Sequence, residues 1–392
     1  MNTQNTPVHF SAWHRGFWFL SVANLPLVMA VYALIPVLPL WLRSTERFSD
    51  LDIGLSMGIF AAGLFSLGSL CSYLVQRYRR NLVCMWSIAV VAVCLGAVYY
   101  VEHNSIVGLD VWIAVVQRFL LGAFFGLAQM VLFSTLIIDN SESKHRTEAN
   151  HLSSWISRLA MALGPLCGII VYGSLGFAAV LVMCVLFCLA AIMLIKLVNF
   201  PFRAPSETMH LFSLDRFFLP QGFILFLNIM MYTFVLGLLF TLPLDAEFYG
   251  MMIAGFVLAF MSQRFVFQNA ELKSETVTGL ILLIAALVIM LTRPHHDVRM
   301  IAPVMIGLAT GLVGSRFMLF FIKLSGHCQR GTSSSTFVLG WETGLALGLG
   351  CGYMFFGHAA TKSLVAGIIV SALALVLYLG YTHKWFVQHK NR

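Results

Sequence analysis

Apolar runs of about twenty residues, the length that crosses a bilayer core as a helix, recur twelve times along the chain, each bounded by charge, Gly, Pro or Asn. They predict spans at about 16–42, 53–76, 82–101, 111–138, 151–173, 176–199, 219–243, 247–267, 276–292, 299–323, 334–356 and 362–383. The connections are short and leave no room for a soluble domain. The longest internal gap, 200–218, separates six spans from six and carries Arg203, Pro205, Glu207, His210, Asp215 and Arg216. The expected architecture is an all-α polytopic membrane protein, with a six-helix bundle over 1–199, a linker over 200–218 and a second six-helix bundle over 219–392.

Basic residues orient the spans. Sixteen of the 24 Lys and Arg fall on the side that both chain ends share, five on the other, and three at membrane depth. Positive charge favours the cytoplasmic side, so both termini and the linker are expected there. The first span holds Asn24 and Pro26, is too long for a signal-peptide core, and reads as a retained helix.

Composition narrows the function. With 59% hydrophobic and 10% charged residues the chain is not a soluble enzyme. Its net charge of +8 is scattered between apolar runs and makes no stripe for nucleic acid. The eight cysteines lie within spans or at their ends, as packing residues; Cys184 and Cys188 share a helix face without His or carboxylate company, so neither a disulfide framework nor a metal is expected. No phosphate-binding glycine loop is present, which excludes ATP-driven pumping within the chain, and no cofactor is expected.

The chain also repeats itself. Gly68, Ser72, Gln76 and Arg77 correspond to Gly255, Ala259, Gln263 and Arg264 at an offset of 187, and Gly122 and Gly126 to Gly307 and Gly311 at 185. Ala162, Leu163, Gly164, Cys167 and Gly168 recur as Ala346, Leu347, Gly348, Cys351 and Gly352 at 184. A duplicated unit of six spans enters the membrane twice from one side, so the repeats are parallel, with a central cavity between halves that rock. Close approach at Gly54, Gly58, Gly122, Gly126, Gly344, Gly348 and Gly352 is expected at the rocking interfaces.

Four local patterns carry a resemblance. The stretch SYLVQRYRRN, 72–81, is similar to a G-x-x-x-D-R-x-G-R-R loop, keeping Arg77 and Arg80 but placing Gln76 for Asp and Arg79 for Gly. Arg118 and Gly122 match an R-x-x-x-G pattern in span four, and Gly164, Pro165 and Gly168 a G-P-x-x-G pattern in span five. SSTFVLGWETG, ending at Gly344, places Glu342 where span eleven commonly holds a carboxylate. Over essentially its whole length the chain thus resembles a major facilitator superfamily transporter of the drug/proton antiporter-like branch. That resemblance implies alternating access, a cavity lined by spans one, four, seven and ten, efflux as the direction, and a place in a bacterial inner membrane.

Charged groups at membrane depth are costly and are functional candidates. Arg118, Arg158, Arg316 and Glu342 read as the four here, every other acid standing at a loop or helix end. Glu342 is expected to meet Arg158 or Arg316, either as an ionised lock on the cytoplasmic gate or as a proton carrier. Arg118 and Arg158 read either as helix-pinning donors or as a basic cavity for an anionic or zwitterionic headgroup. Asn24, Gln117, Gln129, Ser134, Asn228 and Tyr232 are further cavity candidates, or interhelical hydrogen bonds. A lone carboxylate among arginines supplies no nucleophile or metal constellation, so no enzyme is expected. The expectation is a lipid-embedded monomer that exports a small amphipathic anion or zwitterion by proton coupling. Its rivals are uptake or flipping of an anionic metabolite or lysolipid, and a receptor or scaffold that transports nothing.

Overall fold

A computed structural model describes residues 15–104, 109–139, 146–200, 210–267, 271–292, 296–357 and 359–391, and every regular element among them is helical. Eleven helices are long and apolar enough to cross a membrane: Arg15–Ser44, Asp50–Arg77, Arg80–His103, Val111–Leu136, Leu152–Leu175, Phe177–Lys196, Pro220–Leu239, Ala246–Phe265, Leu272–Thr292, Met300–Leu324 and Ala360–His389. One more helix, Arg330–Cys351, is 22 residues long but opens with a run of hydroxyl side chains, Thr332 to Thr336. In chain order these are spans one to twelve, Arg330–Cys351 being the eleventh.

Local chemistry sets the boundaries. Ser49 and Asp52 form a reciprocal capping box at the start of span two, and Asp110 and Asp245 cap spans four and eight. Span one breaks between Tyr32 and Leu34. Pro36 has no N–H to return to the Tyr32 carbonyl, so the helical ladder is interrupted there.

The two six-helix bundles pack alike. Span one lies on spans five and six, two on four, and three on four and six; span seven lies on eleven and twelve, eight on ten, and nine on ten and twelve. The repeated glycines make this packing possible. A Cβ on Gly122 would stand 2.4 Å from the Phe60 carbonyl oxygen of span two, and one on Gly307 would stand 2.1 Å from that of Met252 in span eight. Gly168 presses on Ala33 of span one, as Gly348 presses on Phe234 of span seven.

These contacts lie inside the bundles, which corrects part of the expected rocking interface. Gly122, Gly126, Gly344, Gly348 and Gly352 all face residues of their own half, as do Gly164 and Gly168. Between the halves, spans two and eleven run together, and span five meets spans eight and ten. Gly54 and Gly58 do sit there, against Gly350 near the end of span eleven. Toward the side that holds both described chain ends, Gly331 packs on the Ser134 carbonyl of span four, and Trp155 of span five wedges against Gly311, Phe256 and Phe260.

Much of the expected linker, with Arg203, Pro205 and Glu207, lies outside the described residues. Its later part runs across both halves. The Ser213 N–H donates to the Ser69 carbonyl, and Asp215 accepts from Ser72 of span two (3.5 Å) and from Thr332 of span eleven (3.0 Å). Thr332 and Thr336 in turn accept from the backbone N–H groups of Arg216 and Leu219. Gln76, standing where the resembled loop has Asp, donates to Ser72 within its own helix, while Arg77 is exposed at the helix end.

Candidate functional site: a buried acid and an unpaired arginine between the halves

Glu342 is 4% exposed, on a stretch of span eleven that turns toward the first bundle. It does not meet an arginine. One oxygen accepts a 2.9 Å hydrogen bond from the hydroxyl of Tyr32, the last residue before the break in span one, and no ion pair joins Glu342 to any described residue. The two residues lie in different bundles, so the bond spans the interface.

Glu342 and Tyr32 line a small cavity of about 20 Å³ together with Arg118, Met57, Phe60, Ile35 and the span-eleven residues Leu345, Ala346 and Leu349. Arg118 is 4% exposed and forms no ion pair with any described residue. Its Nη2 points at the Met57 sulfur at 3.2 Å, its guanidinium lies 5.7 Å from the centre of the Phe60 ring, and Nε and Nη1 have no hydrogen-bond partner among the described residues. An apolar cavity thus carries one acid, held by a neutral donor, and one base, held by a ring and a thioether. A desolvated guanidinium without a counter-charge attracts an anion that supplies one.

The other arginines stand apart from this cavity. Arg158 donates to Ser154 at 2.8 Å, stacks over Trp155, and packs on Gly314 of span ten beside Trp341; its Nε and Nη2 are likewise unpartnered. Arg316 does have a carboxylate, but it is Glu275: the two form a bidentate pair, and Gln263 donates to both Glu275 and Ser315. Glu275 is 0% exposed. This corrects the expectation that no further acid is buried and that Arg316 is free to meet Glu342. Glu275 stands in the first turn of span nine, where the apolar pattern marks a helix end, and spans eight and ten enclose it.

The polar candidates divide. Asn228 donates to the Ala374 carbonyl of span twelve, and Tyr232 shares a 3.1 Å hydrogen bond with Thr310 of span ten; both tie helices within the second bundle. Gln117 donates to the Cys94 carbonyl of span three. Asn24 and Gln129 are buried with no partner for either amide atom among the described residues, and the Ser134 hydroxyl is also unpartnered. Tyr32 and Glu275 are the two contacts that the sequence does not signal.

Solved transporter structures share this fold. The human organic anion transporter MFSD10 superposes with a TM-score of 0.69 over 93% of this chain and 98% of its own, at 16% identity. A bacterial homologue of the human lysosomal transporter Spinster gives 0.68 over 96% and 98%, at 15% identity. The nucleoside transporter NupG gives 0.65 over 94% and 99%, at 11% identity. At these identities the likeness is one of fold. No functionally curated protein matches the chain by sequence. Residues 20–349 match the family model of the Major Facilitator Superfamily, and this multi-pass membrane protein belongs to that family of transporters.

Proposed function

We propose that the chain is a proton-coupled secondary transporter of small amphipathic molecules that carry an anionic group, working by alternating access in a bacterial inner membrane with both termini in the cytoplasm. The observation that carries this reading is the cavity shared by Arg118, which lacks a counter-charge, and Glu342, which lacks a cationic partner. The organic anion named for MFSD10 agrees with it.

The pair supplies a coupling rule. A zwitterion that places its anion on Arg118 and its cation on Glu342 needs the carboxylate ionised, so a proton leaves as the substrate binds and the two are exchanged. Export in the manner of the drug/proton antiporter branch follows. A plain anion gives the opposite rule: Glu342 and the substrate compete for Arg118, so binding favours the protonated acid, and anion and proton travel together. That second reading, uptake of an anionic metabolite, rests on the same two side chains.

Proteoliposomes with an imposed pH gradient and a panel of labelled amphiphiles test both. Exchange predicts that zwitterion flux runs against the proton gradient, and cotransport that anion flux runs with it; in either case Glu342→Gln removes the dependence on the gradient. Flux confined to lipophilic cations and unchanged in Arg118→Gln would sink the anionic-group reading. Binding without flux for every compound would favour a receptor.

A further inference from the structure

Arg118 faces a second space. A recess of about 110 Å³, separate from the cavity that holds Glu342, runs between spans one, three and four, lined by Leu38, Leu42, Val98, Val101 and Ile113. Its mouth carries Ala97 and Ile113, both exposed on the outer surface of spans three and four, where an apolar side chain meets lipid. Of the few polar groups that line it, two keep unpartnered atoms, while the Trp41 indole N–H donates to Glu102. Nε and Nη1 of Arg118 have no hydrogen-bond partner among the described residues, and neither has the hydroxyl of Ser56, which is 0% exposed on span two. Gln117, the remaining amide, is occupied by the Cys94 carbonyl.

Buried polar groups are ordinarily paired, because a lost hydrogen bond in an apolar setting is costly. Here a guanidinium and a hydroxyl are left open together at the end of an apolar slot that opens toward the membrane. We infer that this recess is a lateral binding site for a membrane-resident acyl anion, its carboxylate or phosphate on Arg118 and Ser56 and its alkyl chain lying along Leu38, Val98 and Ile113 toward the lipid. The alkyl chain matches the apolar walls, and the anion supplies the counter-charge that Arg118 lacks. The site shares Arg118 with the transport cavity, but it needs no transport to be occupied.

The test uses the full-length protein in phosphatidylcholine nanodiscs, with thermal stabilisation as the readout. Dodecanoate and dodecyl phosphate are expected to raise the unfolding temperature, whereas dodecanol and butyrate at equal concentration are not. Ala97→Trp, a substitution at the exposed mouth that leaves the central cavity untouched, and Arg118→Gln each weaken dodecanoate binding by about tenfold or more. Glu342→Gln does not weaken that binding, so failure of the coupling reading and failure of this site are separable. Mass spectrometry of co-purified lipid separates the sources: enrichment of free fatty acid in the wild type over Ala97→Trp assigns a carboxylate, and enrichment of phospholipid assigns a phosphate. Stabilisation by dodecanol equal to that by dodecanoate, or loss in Arg118→Gln with none in Ala97→Trp, overturns the proposal.

Discussion

Tyr32 donates its hydroxyl to Glu342 at 2.9 Å, so the carboxylate lining the central cavity is held by the opposite half of the molecule. A hydrogen bond to an ionisable group contributes about 1.5–3 kcal/mol, and this one draws spans one and eleven together. Tyr32→Phe and Glu342→Leu should each lower stability, while the double variant loses less than the sum by about 1 kcal/mol, because the same bond is removed twice. Thermal unfolding of the four proteins in detergent measures that coupling. Strict additivity would show that the contact contributes nothing.

The buried pair in the second bundle should behave differently from Glu342. Removing one member strands a charge, so Glu275→Gln is expected to cost about 3–5 kcal/mol by leaving Arg316 unpaired. Replacing both, with Glu275→Leu and Arg316→Met, should recover most of that loss. Glu342→Gln, which strands no cation, should cost only about 1 kcal/mol. Denaturation profiles of these variants provide the comparison.

Asp215 joins Ser72 of span two to Thr332 of span eleven across the two halves. Two hydrogen bonds at about 1 kcal/mol each shift an opening equilibrium about tenfold to thirtyfold. Asp215→Ala should therefore speed alkylation of Cys71, fully buried just beneath this junction, by that factor. Peptide mapping distinguishes Cys71 from the exposed Cys328.

Spans two and eleven close on each other through backbone. A Cβ on Gly54 would lie 2.6 Å from the Gly350 carbonyl oxygen, and overpacking of this kind costs about 1–3 kcal/mol. Gly54→Leu should slow transport, with expression and folding retained, by disfavouring the conformation closed at this end. Gly173→Leu, at a site with open space around it, is the matched control and should transport as the wild type.

The crossings were legible because lipid imposes one rule on every span: about twenty apolar residues with all backbone groups satisfied internally. Duplicated glycines were legible too, since close helix approach tolerates no side chain. Partners were not. A hydroxyl in an apolar run, such as that of Tyr32, gives no sign of where it points. Glu275 looked like an acid at a helix end, and its burial depends on how spans eight and ten are set against span nine. Asn228 sits on an expected cavity helix yet faces span twelve, a choice of helix rotation that composition does not encode.

The hydroxyl run that opens span eleven has a consequence for how the protein is made. Ser333 and Ser334 return their hydroxyls to the Arg330 carbonyl and Thr336 to that of Thr332, which lowers their cost in hydrocarbon without making the segment apolar. Such a helix partitions poorly from the translocon by itself. Its partners, spans two and seven, are synthesised first and present the glycine-lined surfaces on which it rests. Membrane integration of the penultimate segment is thus coupled to assembly of those before it, and a lesion in span seven would be felt as a biogenesis defect in span eleven.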